Sequence, residues 1–181
     1  MRKANYDKFP STKLTGMLVQ GWDAIISVLK NQMDARKVLA VDLYTGVYEE
    51  EVLDAFSKEF SGKVMNVRDL MKPEQEIQTL TERFMTEDVL FGYVTNLKLE
   101  DYLDADKLAA AQKQISEAED TIVIIGTGAA MVAPQDAMIV YADMARWEIQ
   151  QRFRRHEVKA LGIDNRKDAV SLQYKRGYFN D

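Results

Sequence analysis

The side chains with the most chemical potential fall into four groups. The first lies in residues 38–60, which read as an apolar strand, a loop and a helix. In such a unit the motif G-x-x-x-x-G-K-[ST] grips phosphates through backbone N–H groups and a lysine. The motif is absent. With Gly46 as its second glycine, Val41 stands at the first, Val47 at the lysine and Tyr48 at the hydroxyl position. Glu49, Glu50 and Glu51 then fill the first helical turn, where carboxylates satisfy the positive end of the helix and repel a polyphosphate. Missing ligands and adverse charge both argue against phosphate binding here.

The second group is Arg68-Asp69, just past a strand expected over residues 63–67. A carboxylate at the C-terminal edge of a parallel strand can take a proton from a substrate hydroxyl, which makes Asp69 a candidate base. A cap or loop role is the alternative. The third is Gly126-Thr127-Gly128-Ala129-Ala130, behind the strongest strand signal. It suggests a dinucleotide loop, but the third glycine is missing and Asp143 is not spaced to hold a ribose. Close packing accounts for these glycines, and no cofactor is assigned.

The fourth group is a helix expected over residues 145–161, with Arg146, Arg152, Arg154 and Arg155 as anion-binding candidates. At 100° per residue, Glu148, Arg152, Arg155 and Lys159 share an edge, so Glu148 can pair with Arg152 at i, i+4. Met144, Trp147, Val158 and Leu161 lie on one side of that edge, and Ile149, Phe153 and Ala160 on the other. A helix wedged between two apolar surfaces is the alternative to anion binding. His156 is the sole histidine and there is no cysteine, so no metal site is assigned.

The elements that must position these groups follow from periodicity. Residues 16–32 carry a helical stripe of Met17, Leu18, Trp22, Ile25, Ile26 and Leu29. Residues 38–41 form a short apolar run suited to a strand buried on both faces, and a helix from Glu49 closes at Ser61-Gly62. Pro73-Glu74 opens a further helix, residues 84–102 mix loop with short segments, and Asp104 caps the next helix. Strands follow at residues 121–125 and 138–141. Residues 164–181 are polar and are expected to end without a helix, as if cut from a longer protein. Buried strands alternating with helices give an α/β fold of three layers, a mostly parallel sheet with helices on both faces.

Composition narrows the classes. At 181 residues with 46% hydrophobic and 29% charged side chains, one domain over residues 1–181 is expected, with residues 1–35 as a helical extension and 164–181 as a connecting segment. Zero cysteines excludes disulfides and thiolate chemistry and fits a reducing compartment. No signal core or long apolar window is present, which points to the cytoplasm with no membrane partner. Residues 144–181 carry nine Lys/Arg against five Asp/Glu, while the net charge is −5, so the rest is strongly acidic. That balance argues against a nucleic-acid partner and allows an anion site or docking surface in the last segment. A homodimer or inter-domain contact through the last helix is the structural alternative.

The run from Thr121 through Gly126-Thr127-Gly128, followed by Met138-Ile139-Val140-Tyr141 and the arginine-rich helix, resembles the second half of uridine-kinase-like P-loop enzymes over about residues 36–165. That resemblance implies a P-loop-kinase-like fold and makes Asp69 the counterpart of the family's base. Tyr6-Asp7-Lys8-Phe9-Pro10, Gly21-Trp22, Tyr141-Ala142-Asp143-Met144-Ala145-Arg146-Trp147-Glu148-Ile149-Gln150, Arg154-Arg155-His156-Glu157 and Tyr174-Lys175-Arg176-Gly177 resemble the N-terminal domain of bacterial class I mannose-6-phosphate isomerase proteins. This second resemblance implies a degenerate kinase-like accessory or regulatory domain, a downstream cupin domain as partner and a zinc ion held only in that cupin. It leaves a sugar phosphate or similar anion as ligand. A nucleoside or sugar kinase with a phosphate site rebuilt on the four arginines is the alternative, and a structural interaction module is the third reading.

Overall fold

A computed structural model describes residues 6–7, 10–13 and 15–179. Lys8 and Phe9 of the N-terminal resemblance, residues 1–5 and the final Asn180-Asp181 lie outside the described residues. Four strands form the sheet: β1 Val38–Leu43, β2 Lys63–Asn66, β3 Ile122–Gly126 and β4 Met138–Ala142. Their order is β2-β3-β1-β4 and every pairing is parallel, with Ala40 opposite both Ile124 and Ile139, and Met65 opposite Ile124. All five residues of β3 are buried, as a central strand covered on both faces requires.

Alternation along the strands divides the core into two sheets of side chains. Leu39, Val41, Val123 and Ile125 pack against α1 (Trp22–Met33) and α2 (Glu49–Glu59) through Ile26, Leu29, Val52 and Phe56. Ala40, Met65, Ile122 and Ile124 face the opposite way. They meet α3 (Glu74–Met85), α4 (Ala105–Ser116) and the short α5 (Ala129–Val132). The three-layer α/β expectation holds. Asp104 caps α4 by accepting from the amides of Asp106 and Lys107, both at 3.0 Å.

Three expectations change. The first helix starts at Trp22, not at residue 16, because Gly16 and Gly21 take φ of 131° and 89°, incompatible with a right-handed helix. The strand expected over residues 63–67 stops at Asn66, whose side chain accepts from the Arg68 amide at 2.8 Å and turns the chain into a 3-10 turn, Val67–Leu70. The helix expected over residues 145–161 is α6, Arg146–Arg154 only.

His156 ends α6 with φ 58°, its amide donating to the Phe153 carbonyl (2.9 Å) and the Glu157 amide to the Arg152 carbonyl (3.0 Å). This paired closure is the left-handed helix end usually built on glycine. His156 Nδ1 lies 2.8 Å from the Arg166 carbonyl and 2.7 Å from Gln173 Nε2. The left-handed residue is thus tied to the segment that follows.

The polar tail also departs from expectation, since it folds as α7, Val170–Phe179, against α3 and α6. Its buried positions are unusual, since Gln173, Lys175 and Arg176 are all buried. Arg176 Nη1 donates to the Thr81 hydroxyl at 2.7 Å, and Lys175 Nζ donates to the carbonyls of Met85, Thr86 and Asp88 at the end of α3. β4 is an edge strand that leaves Ile139 and Tyr141 exposed. Among the described residues, no helix is long and apolar enough to cross a membrane.

Candidate functional site

The C-terminal ends of β1, β2 and β3 converge on a cavity of about 370 Å³, bordered by Leu43, Asn66 and Gly126. Chain direction explains the location. From β1 the chain leaves for β2 on one side of the sheet, and from β3 it crosses to β4 on the other, so the carboxyl ends of the strands around β1 open a crevice. The loop 44–48 and the first turn of α2 form one wall, and the strap 157–161 behind α6 forms another.

Gly46 adopts φ 90°, and a Cβ there would meet Ile149 at 3.1 Å, so both conformation and space call for glycine. The loop is held from the α6 side. Arg152 donates from Nη1 to the Gly46 carbonyl at 2.7 Å while its guanidinium lies 3.6 Å from the centre of the Tyr48 ring. Tyr48 in turn donates to Glu157 at 2.6 Å. Each glutamate of the acidic turn has a partner: Glu49 takes Arg68 (3.2 Å), Glu50 takes Lys159 (3.1 Å) and Glu51 takes the Trp22 indole N–H (2.9 Å). Carboxylates therefore stand where a phosphate loop would present cations.

The glycine turn after β3 is closed on the strand beside it. The Asp42 carboxylate accepts from the amides of Gly128 (3.0 Å) and Ala130 (2.9 Å), and the Thr127 hydroxyl donates to the Leu43 carbonyl (2.9 Å). Gly126 has φ 133° and would bring a Cβ within 2.9 Å of Val67. Close packing is what these glycines do, and the amides at the start of α5 already serve a carboxylate of the protein itself.

Asp69 is exposed and lines a separate groove against α4, beside Lys107. Its neighbour Arg68 faces the cavity instead, so the 3-10 turn sends the two side chains to different places. The four arginines of α6 and its end stand outside the cavity lining and do not converge. Arg146 donates to the Tyr44 hydroxyl at 3.1 Å and stacks on Tyr178. Arg154 faces Tyr174. Arg152 and Arg155 share Glu148 at 3.3 and 2.9 Å, the first being the expected i, i+4 pair, and Arg155 also binds Glu157 at 2.8 Å. The cations that do border the cavity are Arg68, Lys159 and Arg166. The sequence pattern sets Lys159 on the charged edge of a longer helix and gives Arg166 no role, because the position of both depends on where α6 ends.

These pairs predict a pH response. The hydrogen bond from Arg155, then that from Arg152, holds Glu148 below the ordinary glutamate range, and Arg155 and Tyr48 do the same for Glu157. Arg166 pushes Asp164 down to about 2. Folded-state values below the unfolded ones mean stabilisation that is present above the unfolded values and lost as pH falls through the folded ones. Urea unfolding followed by circular dichroism should give level stability from about pH 7 to 5 and a decline from about 4 toward 2. Arg155→Met should flatten that decline. An equally steep decline in the variant would reject the assignment.

Residues 21–181 match the family model described as "Domain of unknown function (DUF8485)". No curated protein matches the chain.

Proposed function

We propose that this chain, which belongs to the DUF8485 family, serves as a degenerate kinase-like accessory or regulatory domain that does not transfer phosphate. The single observation that carries this reading is the set of Glu49, Glu50, Glu51 and Glu157 around loop 44–51, where a polyphosphate would need cations and open amides. The parallel sheet, the strand–loop–helix unit at β1–α2 and the turn bearing Asp69 agree in order with the kinase resemblance. The segments that resemble mannose-6-phosphate isomerase proteins suggest the larger setting of this proposal, a cupin partner domain in the cytoplasm with zinc held by the cupin.

A kinase with a phosphate site rebuilt on Arg146, Arg152, Arg154 and Arg155 needs those guanidiniums to converge, and their pairing with Glu148, Glu157 and four tyrosines disfavours it. An interaction module is favoured by one observation: Ile139, Tyr141 and Trp147 are exposed on β4 and α6, where a partner domain or a second copy could cover them.

The test is turnover of ATP by the purified chain with hexoses and nucleosides as acceptors. No turnover above background is expected, and Asp69→Ala should change nothing. Turnover abolished by Asp69→Ala would overturn the reading.

A further inference from the structure

The cavity at the strand ends differs from an anion site in how its charges are arranged. Arg68, Lys159 and Arg166 border it, and each is already bonded to a carboxylate: Glu49, Glu50 and Asp164, the last at 2.7 Å. An incoming anion would meet cations whose charge is already balanced, with a carboxylate standing beside each of them to repel it. A cationic ligand meets the opposite obstacle at the same pairs. A neutral hydroxyl meets neither, because it donates to a carboxylate oxygen and accepts from an N–H without breaking the pair.

The capacity is there. Arg68 uses Nε alone of its guanidinium donors on Glu49, and a carboxylate offers about four acceptor sites. Leu43, Val47, Leu53 and Met71 contribute apolar atoms to the lining, which the C–H groups of a ring can meet. The volume of about 370 Å³ is at the small end of ligand pockets, which span roughly 300–1,000 Å³.

We infer that this cavity is a binding site for an uncharged polyhydroxylated ring of monosaccharide size, held by the Arg68–Glu49 and Lys159–Glu50 pairs acting as donor–acceptor units. The inference rests on the reading above, that loop 44–51 does not hold a polyphosphate. The paired charges give selectivity by exclusion: a phosphate group added to the same ring meets Glu49, Glu50 and Glu157 without an unpaired cation to offset them.

The test is a titration of isotope-labelled protein followed by amide NMR. The neutral probes are glucose, mannose and ribose. The charged probes are glucose 6-phosphate, mannose 6-phosphate, ribose 5-phosphate and glucosamine. At least one neutral sugar should saturably shift the amides of Gly46, Tyr48 and Thr127. Its charged forms should bind about tenfold more weakly or worse, and Glu49→Gln should weaken the neutral sugar about fivefold or more. Silence of every neutral sugar up to about 10 mM, or tighter binding of a charged form, overturns the inference.

If Glu49→Gln loses the native spectrum, ionic strength decides in the wild-type chain. Raising salt from about 0.05 to 0.5 M should change the neutral sugar's affinity less than about twofold, and a larger fall overturns the inference. ATP in the same titration separates the two readings. Shifts over residues 45–51 with ATP sink the exclusion of phosphate, whereas silence of the sugars alone sinks only this inference.

Discussion

Gly62→Ala should be among the most damaging single-methyl additions this chain can receive. A Cβ at Gly62 would stand 1.9 Å from the Thr121 carbonyl oxygen and 3.3 Å from the Thr121 Cβ. That carbonyl cannot swing aside, because it accepts the Lys63 amide at 3.1 Å in the contact that opens the β2–β3 ladder. Accommodating the methyl means prying the two strands apart at their entry. Overpacking that backbone must absorb costs about 3 kcal/mol or more. In a chain of this size that lowers Tm by roughly 6–12 °C. Thermal unfolding by circular dichroism checks it, with Ser61→Ala at the exposed neighbour as a control expected to move Tm by less than about 2 °C. A Gly62→Ala protein melting with the control would show that the strand entry is looser than described.

Lys175→Met should follow closely. The ammonium is buried on α7 and donates to the carbonyls of Met85, Thr86 and Asp88, so it supplies the C-terminal cap of α3 from another element. Methionine keeps the stem and removes the donors, leaving those carbonyls without the bonds that tie them to α7. Charged hydrogen bonds of this kind are worth about 1.5–3 kcal/mol each, partly offset because a buried charge no longer has to be desolvated. A net loss of about 2–4 kcal/mol is expected in urea unfolding. Amide exchange should also quicken across residues 86–94, whose apolar side chains Val89, Leu90 and Phe91 face outward and add little anchorage. A variant with wild-type stability and unchanged exchange there would remove Lys175 as the anchor.

The layers were legible because period and burial coincide. The run Val38-Leu39-Ala40-Val41 and the run Ile122-Val123-Ile124-Ile125 are apolar at every position, as strands covered on both faces must be. The end of α6 was not legible, since nothing in Arg154-Arg155-His156-Glu157 announces a left-handed residue. The closure depends on contacts made by His156 with Arg166 and Gln173, remote in sequence. The last helix was hidden for a related reason. Lys175 and Arg176 count as solvent-facing in any pattern of polarity, and only the carbonyls at the end of α3 and the Thr81 hydroxyl make their burial affordable.

The candidate site divides in the same way. The acidic turn at residues 49–51 and the Glu148–Arg152 pair could be read from spacing alone. The separation of Arg68 from Asp69, and the arrival of Lys159 and Arg166 at the cavity, follow from a tight turn and a helix end that only the folded chain fixes.

The order of strands has a consequence for how the chain is made. β3 is hydrogen-bonded to both β1 and β2, and the register sets Val38 opposite Ile122. The first two strands therefore leave the ribosome with no edge to join, and at about 5–20 residues per second β1 waits roughly 4–16 s and β2 roughly 3–12 s for the third to be synthesised. Through that interval the helices can form but the sheet cannot begin. When β3 arrives, it closes two long-range ladders together, so assembly is late and nearly simultaneous rather than progressive.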